Sequence, residues 1–418
     1  MNEMHRPAAN QVAQPQARGG TRATWPVAGM IAVTFMGSTL VTPLYVLYRQ
    51  AFGFSAITLT LVYAAYVVGN LGSLILLGRL SDQIGRRRVA LPALALAAVT
   101  ALVFLFAAGT GWLYVGRILT GFVNGLAAGA GTAWLAELDD DRTHATLMAT
   151  AGNFTGLAAG PLLGGVLAEY APWPLHLSFV VYLIIVAISA LLVARTRETV
   201  LQLLRLSEIS LRPRLGVPLA IRAQFIAPAA TAFATFAFVG FYAALVPSII
   251  ADGLHQKNHA VAGAIVFELF IVAVFAVIAS QRLSSRTTML SALTLLVPSL
   301  ALVVAAQIFA SMPILVVGTA VSGVAAALGY RGSLQVVNQI APPDRRAETV
   351  SSYLVACFFG NSLPVIGVGV LTSVSTAVLA TRSLRWSRGQ SPSLPSSSGA
   401  NIRRTSNSNQ CCGRLFGS

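Results

Sequence analysis

RTTMLSALTLLVPSLALVVAAQIFASMPILVVGTAVSGVAAALGYR, residues 286–331, carries a charge at each end and 44 uncharged residues between them. A helix needs roughly 20 apolar residues to cross a bilayer, so this run holds two. Ser311-Met312-Pro313 supplies the turn, because proline opens a helix more readily than it continues one. The same reading extends outward: Arg49 to Arg79 and Arg222 to Asp252 each bracket 29 uncharged residues. Along the whole chain the apolar runs predict eleven helices, near 25–48, 55–77, 89–108, 112–134, 145–168, 175–194, 224–250, 259–280, 288–309, 313–335 and 349–372. The expected fold class is all-α integral membrane.

Composition agrees, with 56% hydrophobic and 10% charged residues, where a soluble domain carries roughly 25% charged. This excludes an ordinary cytoplasmic enzyme. The net charge of +15 is explained by where the basic residues fall. With the N-terminus inside, the cytoplasmic segments before the tail hold 19 Lys and Arg and the outer loops two, Arg49 and Lys257. Basic loops stay in the cytoplasm, so the N-terminus is expected there and no nucleic-acid partner is needed. The 27 Arg against one Lys point to a GC-rich bacterial genome and an inner-membrane location. Three cysteines, Cys357, Cys411 and Cys412, give no disulfide framework and no metal spacing.

Slid against itself, the chain repeats at about 204 residues: Asp140 falls on Asp344, Arg142 on Arg346, Phe154 on Phe358, Gly156 on Gly360, and Gly165-Val166-Leu167 on Gly369-Val370-Leu371. A shared offset in matching loops and helices predicts two related bundles. The expected organisation is a disordered cytoplasmic N-terminus 1–24, a six-helix bundle 25–194, a cytoplasmic linker 195–223, an incomplete second bundle 224–372 and a disordered basic tail 373–418. The linker mixes Arg with Leu at helical spacing, and could lie on the membrane surface or run free; no chemistry is assigned to it.

Three short patterns stand out. Gly78-Arg79-Leu80-Ser81-Asp82-Gln83-Ile84-Gly85-Arg86-Arg87-Arg88 joins the second and third segments, with glycines where backbones pass closely and a charge cluster of Asp82, Arg86 and Arg87. Arg117-Ile118-Leu119-Thr120-Gly121 places a cation inside the fourth segment. In the fifth, Gly156, Gly160 and Gly164 recur every four residues beside Pro161 and Gly165, a smooth stripe for close helix approach. Together these resemble the signatures of the major facilitator superfamily, and the last resembles the pattern of its drug:proton antiporters. The resemblance covers about residues 25–372.

It implies a gate in which Asp82 meets the N-terminus of the eleventh helix near Thr349, whose free amides attract an anion. It implies that the glycine stripe seals the interface between halves, although plain helix packing explains the same residues. For Arg117, an ionisable group costs roughly 2.5–3.5 kcal/mol in a membrane; it either snorkels to the outer headgroups or faces inward on a polar partner, and the resemblance implies a proton-coupling role. Glu268 is the one acid in the middle of a predicted helix, either a titrating carrier or a neutral structural group. The first segment lacks the acid of the family's pattern, so coupling cannot run through it. Cavity candidates are Thr39, Tyr45, Asn124, Asn153, Tyr242 and Asn361.

The repeat sets the partner of 175–194 at 379–398, LATRSLRWSRGQSPSLPSSS, whose three Arg and two Pro cannot span a bilayer. The expectation is a twelve-helix design that lost its last helix, through a frameshift, with a native regulatory tail as the alternative. In function the chain is expected to be a monomeric secondary transporter, not an enzyme, exporting small amphipathic compounds against proton flow. Its partners are a small-molecule substrate, protons and the lipid bilayer; it needs no cofactor, and no nucleotide, since no phosphate-binding loop appears. A metabolite uptake carrier or facilitator, or a transport-defective chain, are the competing expectations.

Overall fold

The computed structural model describes residues 23–77, 80–200, 215–342 and 345–389. Gly78 of the expected gate, residues 1–22, linker residues 201–214, Asp344 and the tail from 390 lie outside the described residues. The described residues are all-helical, without a strand: α1 (Thr24–Leu40), α2 (Tyr45–Phe52), α3 (Ala56–Leu77), α4 (Leu80–Ile84), α5 (Arg86–Leu105), α6 (Thr110–Leu138), α7 (Arg142–Tyr170), α8 (Leu177–Ala194), α9 (Arg222–Ser248), α10 (His259–Ala279), α11 (Ser285–Ile308), α12 (Met312–Ile340) and α13 (Arg346–Gly389). Ten of these are long and apolar enough to cross a membrane, and eleven when α1 and α2 count as one. The all-α membrane class is thereby established.

Two boundaries differ from the reading of the sequence. The predicted helix 25–48 breaks at 41–44, and its two pieces are bent by 40°. Pro43 has no N–H to continue the ladder, so the chain tightens into short turns, with Thr42 N–H donating to Thr39 O at 3.0 Å and Leu44 N–H to Val41 O at 3.0 Å. At the other end, α13 continues past 372 to Gly389, through residues assigned above to a disordered tail. No proline or glycine stands between 373 and 388, so nothing local stops the helix before Gly389, a residue favoured just past helix ends. The chain divides into two compact units, Met1–Ser373 and Val374–Ser418; of the second, the helical stretch to Gly389 is described.

Within the first unit the helix pairs α1–α6, α3–α6 and α5–α6 recur as α9–α12, α10–α12 and α11–α12, the arrangement the 204-residue offset anticipates. Helix association in a bilayer draws on close packing of small residues, because lipid tails are as apolar as leucine. At the α3–α6 crossing, a Cβ on Gly69 would overlap the Ile118 carbonyl and one on Gly121 the Tyr66 carbonyl. Helix α7 packs on α1 in its own bundle and on α10 in the other.

Candidate functional site

The loop between α3 and α5 is built around one buried guanidinium. Gly85 sits at φ 107°, a conformation that suits glycine alone, and turns the chain so that Arg86 points inward with its side chain 8% exposed. Arg86 pairs with Asp82 one turn back, donates to Ser81 Oγ at 2.8 Å and meets Glu137 Oε1 at the end of α6 at 2.6 Å. The free amides at the start of α5 are capped from the linker: Glu198 accepts from the backbone N–H of Arg86 at 2.8 Å and of Arg87 at 2.9 Å. A carboxylate there also complements the helix dipole. Arg87 reaches the Ala194 carbonyl at 3.2 Å, Thr199 bonds Glu137, and the Trp134 indole donates to Arg197 O at 3.0 Å. Asp82 thus pairs with Arg86, within its own loop; the Thr349 hydroxyl donates to Arg345 O at 3.1 Å. A partner four residues away needs no second element to be brought in.

The glycine pattern of α7 divides between two neighbours. Cβ atoms on Gly156, Gly160 and Gly164 would meet the Ala32, Met36 and Leu40 carbonyls of α1, a contact inside one bundle. Gly165, one residue round the helix, faces the other bundle: its Cβ would lie 3.1 Å from Gly263 Cα, and one on Gly263 would meet the Pro161 carbonyl. α7 continues unbroken through Pro161. Beyond this crossing, Glu169 accepts from His259 N at 2.8 Å and contacts its Nδ1 at 2.9 Å. Asn258 donates to the Tyr170 hydroxyl at 3.2 Å, and Arg49 pairs with Asp252 at 3.2 Å. The two bundles are joined by polar contacts at this end.

Arg117 does not snorkel. It is 2% exposed, donates from Nη1 to the Ser38 carbonyl at 2.6 Å, and lies 5.3 Å and 5.0 Å from the ring centres of Tyr63 and Tyr66, within cation–π range. Tyr63 donates to Asn361 Oδ1 of α13 at 3.1 Å. The Tyr66 hydroxyl accepts from Asn70 at 2.8 Å and Asn124 at 3.3 Å. Tyr45 is fully buried nearby. Of the cavity candidates, Tyr45, Asn124 and Asn361 therefore gather around Arg117. Thr39 is spent on the Leu157 carbonyl at 3.1 Å, Asn153 is half-buried on α7, and Tyr242 lies in the second bundle, where Ser322 donates to it at 3.0 Å. Glu268 is half-buried on α10, within electrostatic reach of Tyr242.

Sequence reasoning missed Glu137, Glu198, Tyr63, Tyr66 and Asn70. The last three recur at positions 63, 66 and 70 of an apolar helix, a polar stripe that could have been noticed. Among the described residues no group of His, Cys, Asp and Glu could hold a metal ion.

Residues 27–365 match the family model of the Major Facilitator Superfamily. The chain belongs to that superfamily. Over 114 residues it is 39% identical to the major facilitator-type transporter psiT2 of Psilocybe cubensis, covering 27% of this chain and 21% of that protein. Over 136 residues it is 34% identical to the cephamycin export protein CmcT of Amycolatopsis lactamdurans, covering 30% and 26%. The chain thus matches these relatives over about a quarter of their length or less. Among solved structures, a bacterial homologue of the human lysosomal transporter Spinster superposes with a TM-score of 0.69 at 15% identity, over 88% of this chain and 86% of that one. That likeness shows the fold. As a member of the Major Facilitator Superfamily, the chain is a multi-pass membrane protein of a transporter family and not an enzyme.

Proposed function

We propose that this protein is a proton-coupled exporter of small amphipathic compounds, working as a monomer by alternating access in a bacterial inner membrane. One observation carries the reading: two ionisable side chains lie inside the membrane in opposite bundles, Arg117 on α6 and Glu268 on α10. Intramembrane charges are costly and mark ion or substrate paths. A guanidinium does not deprotonate in proteins, so Arg117 acts as the fixed cation and Glu268 as the group that takes and releases the proton. The Asp82–Arg86 loop, clamped by Glu137 and Glu198, holds the cytoplasmic ends of α3, α5 and α6 as one gating body. The Gly165–Gly263 crossing lets the bundles close tightly at the opposite end. The export named for the cephamycin relative supports the direction.

Glu268→Gln is expected to abolish export against a gradient, since the amide cannot carry a proton, while leaving downhill exchange of substrate. Export retained at the wild-type level assigns Glu268 a structural role and removes the coupling scheme.

The charge distribution supports a cytoplasmic N-terminus and a cytoplasmic loop around Asp140, with Gln256 outside. In a variant whose three native cysteines are serine, a cysteine at Gln256 should react with an impermeant maleimide in intact cells. One at Asp140 should react only after lysis. The reverse pattern would invert the topology.

A further inference from the structure

The surroundings of Arg117 are rich in donors and, among the described residues, hold no carboxylate. Besides the Ser38 carbonyl and two tyrosine faces, the guanidinium has a buried Nε without a hydrogen-bond partner among the described residues. The hydroxyl of the fully buried Tyr45 is likewise unpartnered. The Tyr66 hydroxyl already accepts from Asn70 and Asn124, which leaves its own proton free to donate. Three donors therefore lie in one buried cluster, where the acceptors among the described residues are the Ser38 carbonyl and the unpartnered Oδ1 of Asn124. Of the acidic residues, the one in mid-span, Glu268, stands on α10 of the other bundle. An unpaired buried charge is strongly unfavourable, and cation–π contact offsets only part of that cost.

We propose that Arg117 is the binding site for the carboxylate of an amphipathic organic anion carried by this protein. The inference rests on the transport reading above and names its substrate class. A guanidinium presents parallel N–H groups that match a carboxylate in a bidentate pair, with Tyr45 and Tyr66 placed to donate as well. The apolar body of the anion is received by aromatic faces: Tyr63 and Tyr66 flank the cation, and Phe358 of α13 lies edge-on to Tyr66 with ring centres 6.5 Å apart. The site is closed in this structure, because α3 covers the guanidinium and Asn361 of the opposite bundle holds Tyr63. Occupancy requires Tyr63 to leave Asn361 and, with Tyr66, to swing off the guanidinium, which links binding to the contact between α3 and α13.

The test uses the purified full chain in detergent, with thermal unfolding followed as benzoate or its neutral isostere benzamide is added. Benzoate should raise Tm in proportion to the logarithm of its concentration, and benzamide should not. Asn124→Asp, which sets a carboxylate on the Arg117 face of α6, and Arg117→Gln should each weaken the benzoate response at least tenfold. Val297→Ala, at an exposed position of α11 outside the site, should keep it. Should Arg117→Gln not fold, Asn124→Asp carries the comparison. Equal shifts from the two compounds, no shift from either, or a benzoate response kept in Asn124→Asp overturns the proposal. The measurement uses no proton gradient, so its outcome is independent of the Glu268 experiment.

Discussion

Gly156→Leu is expected to cut the yield of folded protein severalfold. A Cβ at this position would fall on the Ala32 carbonyl of α1, and a backbone atom cannot step aside as a side chain can. Overpacking a well-filled interior typically costs 1–3 kcal/mol. With the main chain as the obstacle we place the cost at about 3 kcal/mol or more, against a total stability on the order of 5–15 kcal/mol. The yield of monodisperse protein after detergent extraction measures it. Gly165→Leu should behave differently, since Gly165 faces Gly263 and the His259 carbonyl of the second bundle. Each bundle should still form, while the contact between them loosens. Cysteines at Glu169 and His259 would then cross-link poorly in a well-expressed variant. Equal loss of folded protein from both substitutions would contradict the division of the motif between two neighbours.

Arg86→Gln should lower stability by about 1.5–3 kcal/mol, the cost of losing buried hydrogen bonds to charged partners. Its guanidinium is 8% exposed and faces Asp82 and Glu137 together; without it, two carboxylates remain around one loop. Asp82→Asn should cost under about 1 kcal/mol, because that side chain is 51% exposed and exposed pairs contribute little. Thermal unfolding of the two variants in detergent compares them. If Asp82→Asn proves as costly as Arg86→Gln, the organising residue of the loop is the aspartate.

How far the sequence reveals this arrangement depends on the range of the interaction. Spans are legible because each is a local property: an uncharged run bounded by charges. The break in 286–331 was marked by Ser311-Met312-Pro313, and α11 and α12 meet there, with Ala310 at φ 47°. The break at Pro43 was missed because hydropathy does not fall across Val41 and Thr42, and only the missing N–H interrupts the helix. The gating loop was legible as Asp82, Arg86 and Arg87, but Glu137 and Glu198 lie 51 and 112 residues from Arg86, and no periodicity links them. The spacing of Gly156, Gly160 and Gly164 announced close packing without saying on what. That Gly165 serves the other bundle follows from its position one residue round the helix, and needs both neighbours in place. Arg117 advertised its cost in a membrane, whereas its escape onto Ser38, Tyr63 and Tyr66 depends on how α1, α3 and α6 converge.

The most direct measurement for proton-driven export is the steady-state accumulation of fluorescent amphipathic dyes, anionic and cationic, in intact cells producing the full chain, before and after a proton uncoupler. Export predicts that energised cells hold less of at least one dye than cells lacking the chain, and that the uncoupler raises it to the control level. Accumulation that stays low after uncoupling, or that exceeds the control while the cells are energised, would contradict proton-driven export.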